Sequence, residues 1–60
     1  MPVIQIDWVE RPVEQKRAVA EKFTEAMVEV TGCPPDAVTV IFTEHPKSDV
    51  AKAGVLMSDR

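Results

Sequence analysis

Hydrophobic and polar residues alternate at the start of the chain. In Val3-Ile4-Gln5-Ile6-Asp7-Trp8-Val9, the side chains of Ile4, Ile6 and Trp8 fall on one face and those of Gln5 and Asp7 on the other. That is the two-residue period of a half-buried strand. The strand ends at Glu10-Arg11-Pro12, since proline suits the first turn of a helix, where its missing N–H is not needed. From Val13 the period lengthens: Val19, Phe23, Met27 and Val30, joined by Ala26, recur at three- and four-residue steps, while Arg17, Glu21, Glu25 and Glu29 gather elsewhere. This pattern predicts an amphipathic helix from about Pro12 to Thr31. Gly32 is placed to stop it, and Pro34-Pro35 prevent it from resuming. The stretch Ala37 to Glu44 is rich in β-branched residues and sets Val38, Val40 and Phe42 on one face, a second strand.

A strand, a long helix and a strand in succession make a βαβ unit, whose crossover is right-handed in nearly every case and whose strands run parallel. His45 to Asp49 reads as a loop, and Val50 to Met57 as a small irregular or hairpin tail around Gly54. The expected fold class is α+β: one βαβ unit with parallel strands and a short C-terminal hairpin or tail, residues 1–60 forming a single domain. A two-stranded sheet leaves two open edges and an apolar face that one helix covers poorly. The tail residues Val50, Val55, Leu56 and Met57 are more apolar than a free terminus needs, which marks them as an interface element.

Length strengthens that expectation. The chain has 60 residues, and a domain of that size buries only about 60% of the surface its unfolded form exposes, so a lone monomer is marginally stable. Seven Lys and Arg against ten Asp and Glu give a net charge of −3, which offers no general attraction to nucleic acid or to anionic membranes. No apolar run exceeds three residues, whereas a membrane span needs about 20 and a signal-peptide core about 7 or more. The one cysteine, Cys33, has no internal partner, and a reducing cytoplasm fits that best. With one His, one Cys and two Gly residues, neither the usual zinc spacings nor a phosphate-binding loop can be written. No metal or cofactor is expected.

Among the remaining residues, Pro2 stands out because it follows Met1 and immediately precedes the first strand. Removal of the initiator methionine would leave a free prolyl amine, a secondary-amine base on a rigid ring. An α-amino group has a reference pKa of about 8, and an apolar pocket lowers it by disfavouring the charged form. Such an amine acts as a general base near neutral pH. The plainer alternative is that Pro2 only caps an edge strand.

Pro2 and a short strand, Arg11 with Glu14-Gln15-Lys16 opening a helix, the strand Val38 to Glu44, then Lys47 and Gly54 in the tail together resemble the 4-oxalocrotonate tautomerase family over the whole chain. The resemblance implies a cofactor-independent isomerase that moves a proton in a small unsaturated keto or enol acid, with Pro2 as the general base. It implies that Arg11 binds a substrate carboxylate, for which a planar fork of N–H donors is well shaped. It also implies a homo-oligomer, a hexamer built as a trimer of dimers.

Two substrate-binding positions depart from the family pattern. Thr39 stands where the family has a carbonyl-polarising arginine, and losing one such electrostatic donor commonly costs roughly 100-fold in rate. Val50 stands where the family has an aromatic residue closing the pocket, which predicts a roomier, wetter site. Lys52 occupies the tail position where water-adding relatives carry a carboxylate, so their general base is missing. A different class of function is also open: a non-catalytic or partner-dependent subunit of a hetero-oligomer, in which another chain supplies the missing arginine. His45, with no partner the sequence identifies, is expected to be a solvent-exposed loop residue. Cys33 reads as a small turn or core residue, and Trp8 suits core packing and pocket lining equally.

Overall fold

The computed structural model describes residues 2–60. Strand β1 (Val3–Val9) leads into helix α1 (Val13–Thr31), and strand β2 (Thr39–His45) follows. The strands β3 (Ala51–Lys52) and β4 (Val55–Leu56) complete the order. β1 and β2 pair in parallel, from Val3 opposite Thr39 to Val9 opposite His45. β3 and β4 pair antiparallel as a separate hairpin. This is the α+β arrangement expected from the sequence, a βαβ unit with a short C-terminal hairpin.

The helix begins one residue later than expected. Pro12 is its N-cap, with φ −61° and ψ 150°, and its carbonyl accepts the N–H groups of Gln15 and Lys16 at 3.1 and 3.3 Å. Gly32 ends the helix in the left-handed region at φ 75°. Its N–H donates to the Val28 carbonyl at 2.9 Å, the closing bond a glycine permits without a Cβ penalty. β2 starts two residues later than expected, because Pro34 and Pro35 set up a 3-10 turn over Pro35–Ala37. That turn consumes the N–H groups of Ala37 and Val38. A second 3-10 turn, Lys47–Asp49, forms within the expected loop.

The sheet alternation holds: Ile4, Ile6, Trp8, Val40 and Phe42 are half-buried, while Val3, Gln5, Asp7 and Ile41 are exposed. The helix lies on the first of these faces, as the Lys16 Nζ to Glu44 Oε1 ion pair at 2.9 Å places it. Trp8 stacks on Phe42 there, with ring centroids 5.0 Å apart. The expected apolar stripe of the helix is only partly covered. Val19 and Met27 are half-buried, but Phe23 and Val30 are 41% and 82% exposed. Two strands are too narrow to reach that far around the helix. Among the described residues none is fully buried. The Cα radius of gyration is 14.5 Å, against about 10 Å for a compact chain of this length, and the extents of 43 × 22 × 14 Å describe a flattened, drawn-out body.

Candidate active site

Both ends of the sheet carry candidate residues. At the start, Pro2 is half-buried and its carbonyl accepts the Thr39 N–H at 3.0 Å. That bond extends the parallel pairing by one step and fixes the proline backbone beside Thr39. Freeing the Pro2 amine depends on Met1, which lies outside the described residues.

At the far end, Arg11 and Val50 line one open cavity of about 600 Å³, together with Trp8, His45, Asp49 and Met57. Arg11 is exposed, with its guanidinium carbon 5.8 Å from the Trp8 ring centroid, within the range of a cation–π contact. Its backbone N–H donates to Glu44 Oε2 at 2.9 Å. That bond holds the Glu44 carboxyl below the usual carboxylate range, and the hydrogen bond from Lys16 adds to the effect. The β1–α1 turn carrying Arg11 is thereby pinned to β2. The hairpin closes the cavity from its other side, as the Met57 N–H donates to the Val50 carbonyl at 2.8 Å.

The structure therefore brings Pro2 to Thr39 and Arg11 to Val50, and separates the two pairs by the length of β1. Seven residues at about 3.3 Å each put roughly 20 Å between them. Within one chain the four residues do not converge.

His45 departs from its expected role as a lone exposed loop residue. It is the last residue of β2, half-buried, and its Nε2 lies 2.9 Å from Asp7 Oδ1. The parallel register brings them together: Asp7 sits opposite Thr43, and His45 opposite Val9 on the same face. The alternation already placed Asp7 on that face, but the sequence carried no register to align it with His45. Asp49 and Met57 were likewise not legible as cavity residues, since only the hairpin's return brings them there. Trp8 fills both expected roles, stacked on Phe42 and lining the cavity. Its Nε1 is buried with no hydrogen-bond partner among the described residues. Lys52 is exposed on β3. Cys33 is half-buried beside the helix end, its Sγ 3.9 Å from the Met27 carbonyl.

Comparison with known proteins adds the family. The family model described as Tautomerase enzyme matches residues 2–60. The chain belongs to the tautomerase family. A probable tautomerase of Bacillus cereus is 39% identical over 61 aligned positions, spanning 100% of both chains. The 2-hydroxymuconate tautomerase of Pseudomonas putida is 46% identical over 56 positions, covering 92% of this chain and 89% of that one. Among solved structures, a 4-oxalocrotonate tautomerase isozyme from Methylibium petroleiphilum superposes with a TM-score of 0.90 at 42% identity, covering 97% of this chain and 95% of that one. As a tautomerase-family member the chain is an isomerase. No helix is long and apolar enough to cross a membrane among the described residues.

Proposed function

We propose that this tautomerase acts on a small unsaturated keto or enol acid, with Met1 removed and the Pro2 amine as general base. The observation that carries the reading is the Pro2 carbonyl held by the Thr39 N–H at 3.0 Å, which gives a terminal amine a fixed direction beside the sheet. A neutral secondary amine there takes the enol hydroxyl proton and returns it to carbon, so that one bond to hydrogen is exchanged for another with no cofactor. Arg11 anchors the substrate carboxylate, Val50 forms part of the wall, and Thr39 offers a hydroxyl where the family uses a cation.

Because Pro2 and Arg11 lie at opposite ends of β1, a substrate that touches both is held by two chains. The expanded shape and the exposed apolar residues Phe23, Val30 and Ile41 support assembly, and the family resemblance favours a homohexamer built as a trimer of dimers. A partner-dependent hetero-oligomer is the second reading, and Thr39 is the residue that favours it. A reduced Cys33 suits a cytoplasmic location.

The test is kinetic, in a sample shown by intact mass to lack Met1. Ketonisation of a simple 2-hydroxyalkenoate is expected to need the basic form of a group with a pKa below the ordinary terminal-amine value of about 8. Pro2→Ala should keep fold and assembly and lose most of kcat. Arg11→Ala should act mainly through KM, as the loss of uniform binding does. Full activity in Pro2→Ala, or in protein retaining Met1, overturns the base assignment. Activity that arises only on mixing with a second small protein supports the hetero-oligomer.

A further inference from the structure

Arg11 is held at its backbone and again at its side chain, and the reading above leaves the second hold without a task. We propose that Trp8 is a positioning residue for Arg11, its indole face keeping the guanidinium in the cavity where the substrate carboxylate is received. The inference rests on the Arg11 anchor of the tautomerase reading and deepens it, because it assigns the readiness of that anchor to a particular side chain.

A long arginine side chain is costly to immobilise when a ligand binds, and a surface that holds its head group beforehand removes part of that cost. Trp8 offers such a surface: the Arg11 guanidinium carbon lies 5.8 Å from its ring centroid, inside the roughly 6 Å reach of a cation–π contact. The ring is itself held, stacked on Phe42 with centroids 5.0 Å apart and planes 14° from parallel. Phe42 is the diagonal cross-strand neighbour of Trp8, and the residue directly opposite Trp8 in the register is Glu44. One cross-strand pair thus secures the arginine twice, Glu44 at the backbone N–H and Trp8 at the guanidinium. The contact draws on the ring face and leaves the N–H fork for a carboxylate. No hydrogen bond or ion pair engages the Arg11 side chain among the described residues. The indole Nε1 is buried without a partner among the described residues, so the ring presents no donor of its own to the cavity it lines. Its part is to hold the arginine, not to bond the ligand. Asp49 lines the same cavity and offers a competing anion to a guanidinium that is not held.

A tryptophan that only fills the sheet face would not act through Arg11, and this separates the two roles. Full-length protein is titrated calorimetrically with butanoate, a carboxylate with no enol, and KM and kcat are measured on a simple 2-hydroxyalkenoate. Trp8→Leu should weaken butanoate binding and raise KM by about two- to fivefold, the worth of an exposed cation–π contact, with a smaller change in kcat. Trp8→Phe, which keeps an aromatic face and lacks the N–H, should restore most of both. On an Arg11→Ala background Trp8→Leu should add no further rise in KM, the coupling that a double-mutant cycle isolates. The chain has one tryptophan, so the emission of ligand-free protein reports the contact directly, and Arg11→Ala should shift it. Trp8→Met repeats the leucine test with a more adaptable side chain where leucine disturbs the fold. Unchanged affinity and KM in a folded non-aromatic variant, a phenylalanine variant as weak as the leucine one, a full further loss on the Arg11→Ala background, or emission indifferent to Arg11→Ala overturns the proposal. Butanoate affinity that falls in Arg11→Ala and not in Trp8→Leu removes the Trp8 role alone, and affinity intact in Arg11→Ala removes the anchor and the Trp8 role with it. The binding measurements involve no proton transfer, so they decide the Trp8 role whatever Pro2→Ala does to turnover.

Discussion

Glu44 holds Arg11 by its backbone: one carboxylate oxygen accepts the Arg11 N–H at 2.9 Å, and the other lies 2.9 Å from Lys16 Nζ. The turn that presents the arginine is fastened to the end of β2 and to the first turns of α1, while the guanidinium lies beside the Trp8 ring. Position and charge are supplied by different atoms.

The same bonds give stability a direction with pH. Glu44 has a folded pKa below its ordinary value, chiefly from the Arg11 N–H and next from Lys16. The unfolded chain takes up that proton first as pH falls, so the stabilisation is complete above the unfolded pKa of about 4.3 and is lost as pH falls through the folded value. Glu44→Gln removes this linkage. The Tm difference between wild type and variant, followed by circular dichroism, should be largest near neutral pH and shrink below about pH 4.5. A difference that stays constant into acid contradicts the tie.

Glu44→Ala goes further and releases the Arg11 turn. If the anchor works as proposed, KM for a keto or enol acid should rise several-fold with a smaller change in kcat, while assembly persists. An unchanged KM shows that Arg11 needs no such fastening.

The hairpin turn contains a residue under strain. Between Lys52 and Val55, Ala53 and Gly54 both have positive φ, at 54° and 79°, the requirement of a type I′ two-residue loop. Alanine in that region carries a cost of roughly 1–2 kcal/mol that glycine avoids, partly offset by glycine's larger unfolded-state entropy. Ala53→Gly should therefore stabilise by about 0.5 kcal/mol, and Gly54→Ala should destabilise by about 1 kcal/mol, read as shifts in the urea midpoint. Nothing lies within 4 Å of a Cβ built at Gly54, so the second effect comes from the backbone alone. The opposite ordering of the two variants would refute the strain.

Thr39 is the proposed gap in the electrostatics. Thr39→Arg should raise kcat on a keto acid by about 10-fold or more if the new guanidinium reaches the reacting oxygen. An unchanged rate in a folded variant means that another residue already serves that oxygen.

Val55 and Leu56 remain 43% and 37% exposed on the isolated chain, although they form β4. Fully burying such side chains contributes about 1.5–3 kcal/mol each, so deleting residues 55–57 should lower both Tm and sedimenting mass. Intact wild type should sediment at several times the 6.7 kDa chain mass. A stable wild-type monomer contradicts the assembly.

The elements were legible in the sequence because each has a period of its own and clear punctuation. Ile4, Ile6 and Trp8 alternate and fold as read, and Gly32 stops the helix at the residue expected. Boundaries slipped where proline took part: Pro12 caps the helix instead of entering it, and Pro35 opens a 3-10 turn that shortens the second strand. The apolar stripe of the helix reaches solvent at Phe23 and Val30 on the isolated chain, because periodicity reports which residues seek cover and not how much cover one chain possesses. Arg11 and Val50 were marked through family resemblance, whereas the contact between His45 and Asp7 depends on strand register. Nothing in either strand's own pattern sets that register.

The roughly 20 Å of sheet between Pro2 and Arg11 has a consequence for kinetic order. Any reaction that needs both residues on one substrate takes them from different chains, so the rate per chain is not constant on dilution. It falls once concentration approaches the dissociation constant of the assembly, and the initial rate then rises with more than the first power of protein added. If turnover uses Pro2 and Arg11 as proposed, it is in that sense a property of a population of chains, set by how many have met.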